Sequence, residues 1–470
     1  MSHQPGRQHY NVTFALLAVA AIAYALMQSL VAPALPILQA DLHTTTTGAA
    51  WILTSFLLSA SVVTPIAGRL GDMFGKKRTL VIVLVVLGAG TIVAGLATSI
   101  QVMILGRVIQ GAGGAIFPLA FAIIRDEFPR ARVAQGIALI SALLGIGAGA
   151  GIVLAGPITD ALSYHWLFWI PLLGVAAAVV GTQLFVPESP IRAPGTVDWT
   201  GAVLLGGWLV ALLVPVSEGS TWGWTSPVTI GLFAVAAVLL VAWVLVEGRL
   251  RSPLVDMAMM RLRPVWTTNL AALLIGFGMY SSFVLLPEFV EQPSTTGYGF
   301  GASVTGAGLF MLPATVAMLF AGPVAGRLSS TVGSRVPLIL GAMISCAAFV
   351  LLAAAHGAGA EIYLAMFLMG LGIGFSFASM ANLIVEAVPP HQTGVATGMN
   401  TIVRTVGGAI GSEVSAAIVA ATVAADGLPT EAGFTAAFVA CALALALSVV
   451  AAFAVPRPPR IEAAPALETT

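Results

Sequence analysis

Apolar residues along this chain fall in runs of about 20, each long enough to cross a bilayer core of about 30 Å as an α-helix, with polar residues held to the short gaps between them. The runs centre near positions 22, 59, 89, 112, 146, 176, 208, 237, 277, 313, 346, 373, 408 and 443, which predicts about fourteen membrane-spanning helices. The first run follows a short polar segment with Arg7, as a secretion signal does. Its length of roughly 22 residues and the thirteen runs behind it predict a retained helix instead.

Positive charge tests this count, because cytoplasmic gaps keep Lys and Arg while translocated gaps lack them. Arg7, the 69–78 cluster, Arg125 to Arg132, Arg192, Arg249 to Arg263, Arg327 with Arg335, and Arg457 with Arg460 fall in alternate gaps or in the two tails. Of the 19 Lys and Arg, only Arg107 and Arg404 lie inside runs, and the alternation assigns the remaining 17 to one side. Both termini are therefore expected in the cytoplasm. The opposite gaps hold acids alone: Asp41, Asp160, Glu218, Glu288, Glu291, Glu361, Asp426 and Glu431. Depletion of bases on translocation accounts for this, and a negative outer face would also favour cationic solutes.

Composition excludes whole classes of protein. With 59% hydrophobic residues, 8% charged residues and a mean hydropathy of +1.01, no water-soluble fold accommodates the chain. A net charge of +0 offers nothing to nucleic acid. Cys346 and Cys441 both lie inside apolar runs, and no His or Cys spacing suits a metal. There is no G-x-x-x-x-G-K-[ST] phosphate loop and no polar segment long enough to hold a nucleotide domain, so ATP-driven pumping is not expected.

The chain repeats itself. Gly68, Arg69, Leu70 and Gly75 recur 258 positions later as Gly326, Arg327, Leu328 and Gly333, and Gly136 recurs as Gly394. A shift of 260 places Gly147 and Gly151 on Gly407 and Gly411. Two parallel six-helix halves follow, with two additional helices between them. The expected layout is a tail over 1–11, a first six-helix bundle over 12–190, two extra helices over 191–247, and an amphipathic cytoplasmic loop over 248–264 that carries Leu254, Met257 and Met260. A second bundle over 265–455 and a disordered Pro- and Ala-rich tail over 456–470 complete it.

Most informative is Gly68 to Leu80, GRLGDMFGKKRTL, between the second and third runs. Its glycines permit left-handed backbone and close helix approach, while Asp72 can pair with Lys76, Lys77 and Arg78 across neighbouring helix ends. Such a cluster can serve as a latch that breaks when helices part. The segment resembles the signature loop between the second and third spans of the major facilitator superfamily. With fourteen spans, residues 10–456 look like the drug:proton antiporter branch of EmrB/QacA type. Leu30 to Leu42, Leu105 to Gly111, Gly297 to Gly308 and Gly394 to Gly411 carry that resemblance. Two departures stand out. Met27 occupies the position where the family's first helix usually carries an aspartate. The fifth-helix antiporter signature reads Gly147, Gly151, Ile152, Ala155 and Gly156, with the proline lost and one glycine replaced by alanine.

Charge at bilayer depth is costly, about 2.5–3.5 kcal/mol per residue, so each such residue needs a protein partner or a wet cavity. Arg107 lies a little inside the outer end of the fourth helix, where it can organise a buried polar network, and the resemblance implies a coupling role. Arg404 and Glu413 are nine residues apart, about 13 Å along one helix, so each needs partners elsewhere. Glu413, in the outer half of its span, is the leading proton-coupling candidate, with Glu288 behind it. An apolar cavity with a few polar handles can draw on Gln28, Trp51, Phe56, Tyr280, Phe283, Met399 and Asn400. Gly147, Gly151, Gly156, Gly407 and Gly411 are expected at close helix contacts.

Together these readings describe an all-α plasma-membrane protein of the major facilitator fold, a monomer and not an enzyme. It would export lipophilic drugs or metabolites, cations among them, with no cofactor and the proton gradient as energy source. A facilitator or proton symporter for one metabolite is the alternative, and a non-transporting receptor the remote one.

Overall fold

The computed structural model describes residues 10–193, 198–250, 252–424 and 427–456. The expected tails, apart from residues 10, 11 and 456, lie outside these. Within them are fourteen helices long and apolar enough to cross a membrane. In order they are Tyr10–Ser29, Trp51–Phe74, Lys76–Gly95, Ile100–Glu127, Arg130–Ala161, Trp166–Phe185, Trp199–Trp222, Pro227–Glu247, Arg263–Glu291, Thr305–Val332, Arg335–Ala354, Gly359–Ala387, Pro390–Ala420 and Glu431–Ala454. They are called the first to fourteenth spans below. The end of the bundle carrying the 69–78 bases is called the basic end, and the opposite one the acidic end.

Local chemistry sets where helices start and turn. Thr45, Ser226, Ser303 and Thr430 cap helix N-termini, each hydroxyl accepting the amide three residues on. Between the second and third spans there is no loop, only Gly75 at φ +117°, and between the tenth and eleventh the corresponding Gly333 has φ +88°. The internal repeat thus reproduces the same hairpin, with a backbone value only glycine adopts freely. Gly68 to Phe74, expected within a loop, form the last turns of the second span, and Lys76 to Leu80 begin the third.

Each half has its own apolar core, that of the second centred on Phe289, Phe349, Phe434 and Phe438. Across the seam the second span packs on the thirteenth and the fifth on the tenth. The seventh and eighth spans pair with each other, and the seventh also seats against the second and thirteenth. Large apolar side chains that remain exposed, such as Leu173, Val203, Val238 and Leu443, present a surface suited to lipid. Between Glu247 and Arg263, among the described residues, the helical part is a single turn, Met257–Met260, and Leu254 is buried in the core beside Val255 and Met259 instead of lying on the surface.

Candidate functional site

A cavity of about 630 Å³ lies between the two halves. From the first half it is lined by Gln28, Phe56 and Arg107, and from the second by Tyr280, Phe377, Arg404 and Glu413, with methionines along its walls. At the acidic end the lining reaches Pro36, Pro287 and Glu291.

Bonds between the halves seal the basic end. The amides of Gly394 and Val395, in the first turn of the thirteenth helix, donate to the two oxygens of Asp72 at 3.3 and 3.1 Å. Asp72 thereby satisfies orphan donors at a helix N-terminus, where the helix dipole also favours an anion. Gly68 makes the approach possible: a Cβ there would sit 2.6 Å from the carbonyl oxygen of Gly394. Arg125 donates to Thr393 Oγ1 at 2.7 Å and to the carbonyl of Val388 at 2.8 Å, and Asn382 donates to the carbonyl of Ala134 at 3.1 Å.

Of the expected bases only Lys76 interacts with Asp72, and its ion pair is made with another acid. Lys76 is fully buried in an ion pair with Asp126 and reaches the carbonyl of Pro390 at 3.4 Å. The backbone amides of Lys77 and Arg78 are capped by Glu188, at 3.1 and 3.0 Å, while the Arg78 side chain is exposed. Asp126, Glu188, Arg125 and Thr393 therefore belong to this end although no local motif marks them. Asp126 beside Arg125 at the end of an apolar run was the one usable signal.

Arg107 is entirely buried. Its Nε donates to the carbonyl of Ile52 at 3.0 Å, and its Nη1 donates to Gln110 Oε1 at 2.9 Å and to the carbonyl of Met27 at 3.4 Å. Gln110 in turn donates to Thr91, whose hydroxyl meets the Met27 sulfur at 3.2 Å. Phe56 lies under the guanidinium, 4.2 Å from ring centroid to Cζ. A 3-10 segment, Gly111–Ala115, interrupts the fourth span just beyond.

Arg404 lines the cavity with its guanidinium 4.2 Å over the ring of Phe377. Glu413 also lines it and interacts with Glu218 of the seventh span, which is buried. Glu288 does not line the cavity, and its neighbour Glu291 does. Of the expected wall residues, Gln28, Phe56, Tyr280 and Phe283 are in place. Trp51, Met399 and Asn400 are not. Met399 is packed with the core around the additional spans, and Asn400 donates to Asn269 at 2.9 Å inside the second half.

The glycines divide in the same manner. A Cβ at Gly147 or Gly151 would overlap Ala25 or Ser29 of the first span, and one at Gly407 or Gly411 would overlap the carbonyls of Leu273 or Phe277 in the ninth. These are equivalent contacts in the two halves. Gly156 has nothing nearer than Thr305 Oγ1, 3.6 Å from such a Cβ, an ordinary contact distance that leaves room for alanine.

Comparisons with known proteins agree with this architecture. The chain is 28% identical over 351 residues to Multidrug resistance protein 3 of Bacillus subtilis, covering 74% of this chain and 67% of that protein. It is 29% identical over 389 residues to the Tetracenomycin C resistance and export protein of Streptomyces glaucescens, covering 82% and 71%. In fold it matches the crystal structure of the human organic anion transporter MFSD10 (TETRAN), with a TM-score of 0.70 over 95% of this chain and 100% of that one, at 15% identity. The Major Facilitator Superfamily profile matches residues 17–412, and the chain belongs to that superfamily.

Proposed function

We propose that the protein exports lipophilic small molecules from the cytoplasm by alternating access, driven by protons moving inward, and that it belongs to the fourteen-span drug:proton antiporter branch. One observation carries the reading: a largely apolar cavity between two pseudo-equivalent halves, bonded shut at one end and extending to the other. A binding protein without transport has no need of a seal that follows the seam between its halves. The names of the two bacterial relatives support drug resistance as the setting. The positive-inside pattern supports placing the basic end and both termini in the cytoplasm.

In this scheme the Asp72 latch holds the cytoplasmic side closed while the cavity faces outward. Glu413, on the cavity wall, is the carboxyl that trades protons, and its protonation state biases the halves toward one orientation. Efflux of the dye Nile red from energised cells tests the reading, with wild type and Glu413→Gln compared with and without a protonophore. The expected result is efflux that the protonophore stops and that Glu413→Gln lacks. Wild-type efflux in Glu413→Gln would remove that residue from the mechanism.

A facilitator for a specific metabolite is the second reading. Met27, where the family resemblance leads one to expect a carboxylate, favours it. Its signature is flux that ignores the protonophore.

A further inference from the structure

Resting on the export reading, we propose that the cavity selects lipophilic anions, with Arg404 receiving the anionic group and the buried Arg107 adding its charge from the wall. The two arginines come from opposite halves, and both line the cavity. The Tyr24 phenol lies within interaction range of both guanidiniums. Both guanidiniums thus act on one buried phenol as well as bordering one cavity.

Neither guanidinium is neutralised by the protein. Every acceptor of Arg107 is uncharged: the carbonyls of Ile52 and Met27, and the side chain of Gln110. Its Nη2, buried within the cavity wall, has no hydrogen-bond partner among the described residues. Arg404 has the ring of Phe377 and forms no ion pair with a described residue. The charged or titratable groups that interact with the pair are two phenols, Tyr24 with both and Tyr280 with Arg404. Tyr280 interacts in turn with Gln28 and Thr405. The cavity's carboxylates stand off: Glu413 is nine residues further along the Arg404 helix, roughly 13 Å away by helical rise, and Glu291 is at the acidic end.

Two cations at bilayer depth without a counter-charge call for an anion, since neither gains the Coulomb attraction that normally repays the cost of that depth. A ligand carboxylate or sulfonate supplies that charge, and the planar fork of arginine binds such groups through paired N–H donors. The same pair repels a lipophilic cation. Around the arginines, Met279, Met311, Met318, Met366 and Met369 give flexible apolar walls that suit ligand bodies of varied shape. Because the arginines belong to different halves, an anion attracted by both charges also favours the arrangement in which both border one cavity.

A matched fluorescent series tests this: 1-pyrenebutyrate, 1-pyrenebutanol and 1-pyrenebutylammonium share one apolar body and differ in charge. Equilibrium binding is measured on the full chain in nanodiscs of neutral lipid, with empty nanodiscs subtracted. The anion should bind at least about tenfold more tightly than the alcohol, and the cation most weakly. Arg404→Gln should remove that preference and Arg404→Lys should retain most of it. Arg404 makes no hydrogen bond to a described side chain, so this substitution disturbs the fold less than one at Arg107. Preference for the cation, equal binding of all three, no binding of any, or wild-type anion affinity in Arg404→Gln each overturns the proposal. Flux of pyrenebutyrate in proteoliposomes under an imposed proton gradient is read separately. Anion-selective binding without flux leaves the site standing and removes the export reading. Flux without anion selectivity keeps export and removes the site.

Discussion

The carboxylate of Asp72 accepts the backbone amide of Val395 at 3.1 Å, across 323 positions of sequence and the seam between the two halves. An acid expected to pair with neighbouring bases instead caps a helix of the other half. Closure thus depends on the end of one helix meeting one side chain, an arrangement that is either made or lost as the halves move.

Asp72→Ala should loosen the basic end. Hydrogen bonds to a charged group are worth about 1.5–3 kcal/mol, which shifts the open-to-closed ratio by roughly tenfold or more. In a background lacking Cys346 and Cys441, a cysteine at Thr397, one turn inside the seal, should react slowly with an impermeant maleimide. Adding Asp72→Ala should speed that reaction, and an unchanged rate would show that the cap does not hold the seal. Asp72→Asn keeps one acceptor and should fall between.

Glycine substitutions should separate tight contacts from ordinary ones. Gly147→Val and Gly407→Val force the first span off the fifth and the ninth off the thirteenth, and each should cost about 1–3 kcal/mol. Gly156→Ala should stay within about 0.5 kcal/mol of wild type. Thermal unfolding in detergent checks both, and a cost at Gly156 equal to that at Gly147 would contradict the packing described.

Lys76 and Asp126 form a buried ion pair, to which Ser189 also donates. Lys76→Met leaves a buried carboxylate without its counter-charge and should destabilise by about 3–5 kcal/mol. The double substitution Lys76→Met with Asp126→Leu should recover most of that loss. A double-mutant cycle measures the coupling, and additive losses would mean that the pair is not a unit.

Met27 lies in the polar network of Arg107 through Thr91 and Gln110. Met27→Asp places a carboxylate there, so the cavity's charge should fall and pyrenebutyrate binding should weaken by about tenfold. Binding of pyrenebutylammonium should rise in the same variant. Unchanged anion affinity would show that Arg107 contributes no free charge to the site.

By itself the sequence determined the number of spans, the alternation of charge and the twofold internal plan. These are local or periodic properties: run length against bilayer thickness, bases retained in alternate gaps, and glycines recurring at one shift. The pairing of Gly147 and Gly151 with Gly407 and Gly411 was legible for that reason. Tertiary structure alone decided that Asp72 meets Val395 and not Lys77 or Arg78, that Glu291 and not Glu288 lines the cavity, and that Trp51, Met399 and Asn400 turn away from it. A membrane helix is apolar on nearly every face, so hydrophobic periodicity does not set its rotation about its own axis. That rotation, at about 100° per residue, is set by the neighbours a helix packs against, and here many of them lie hundreds of positions away.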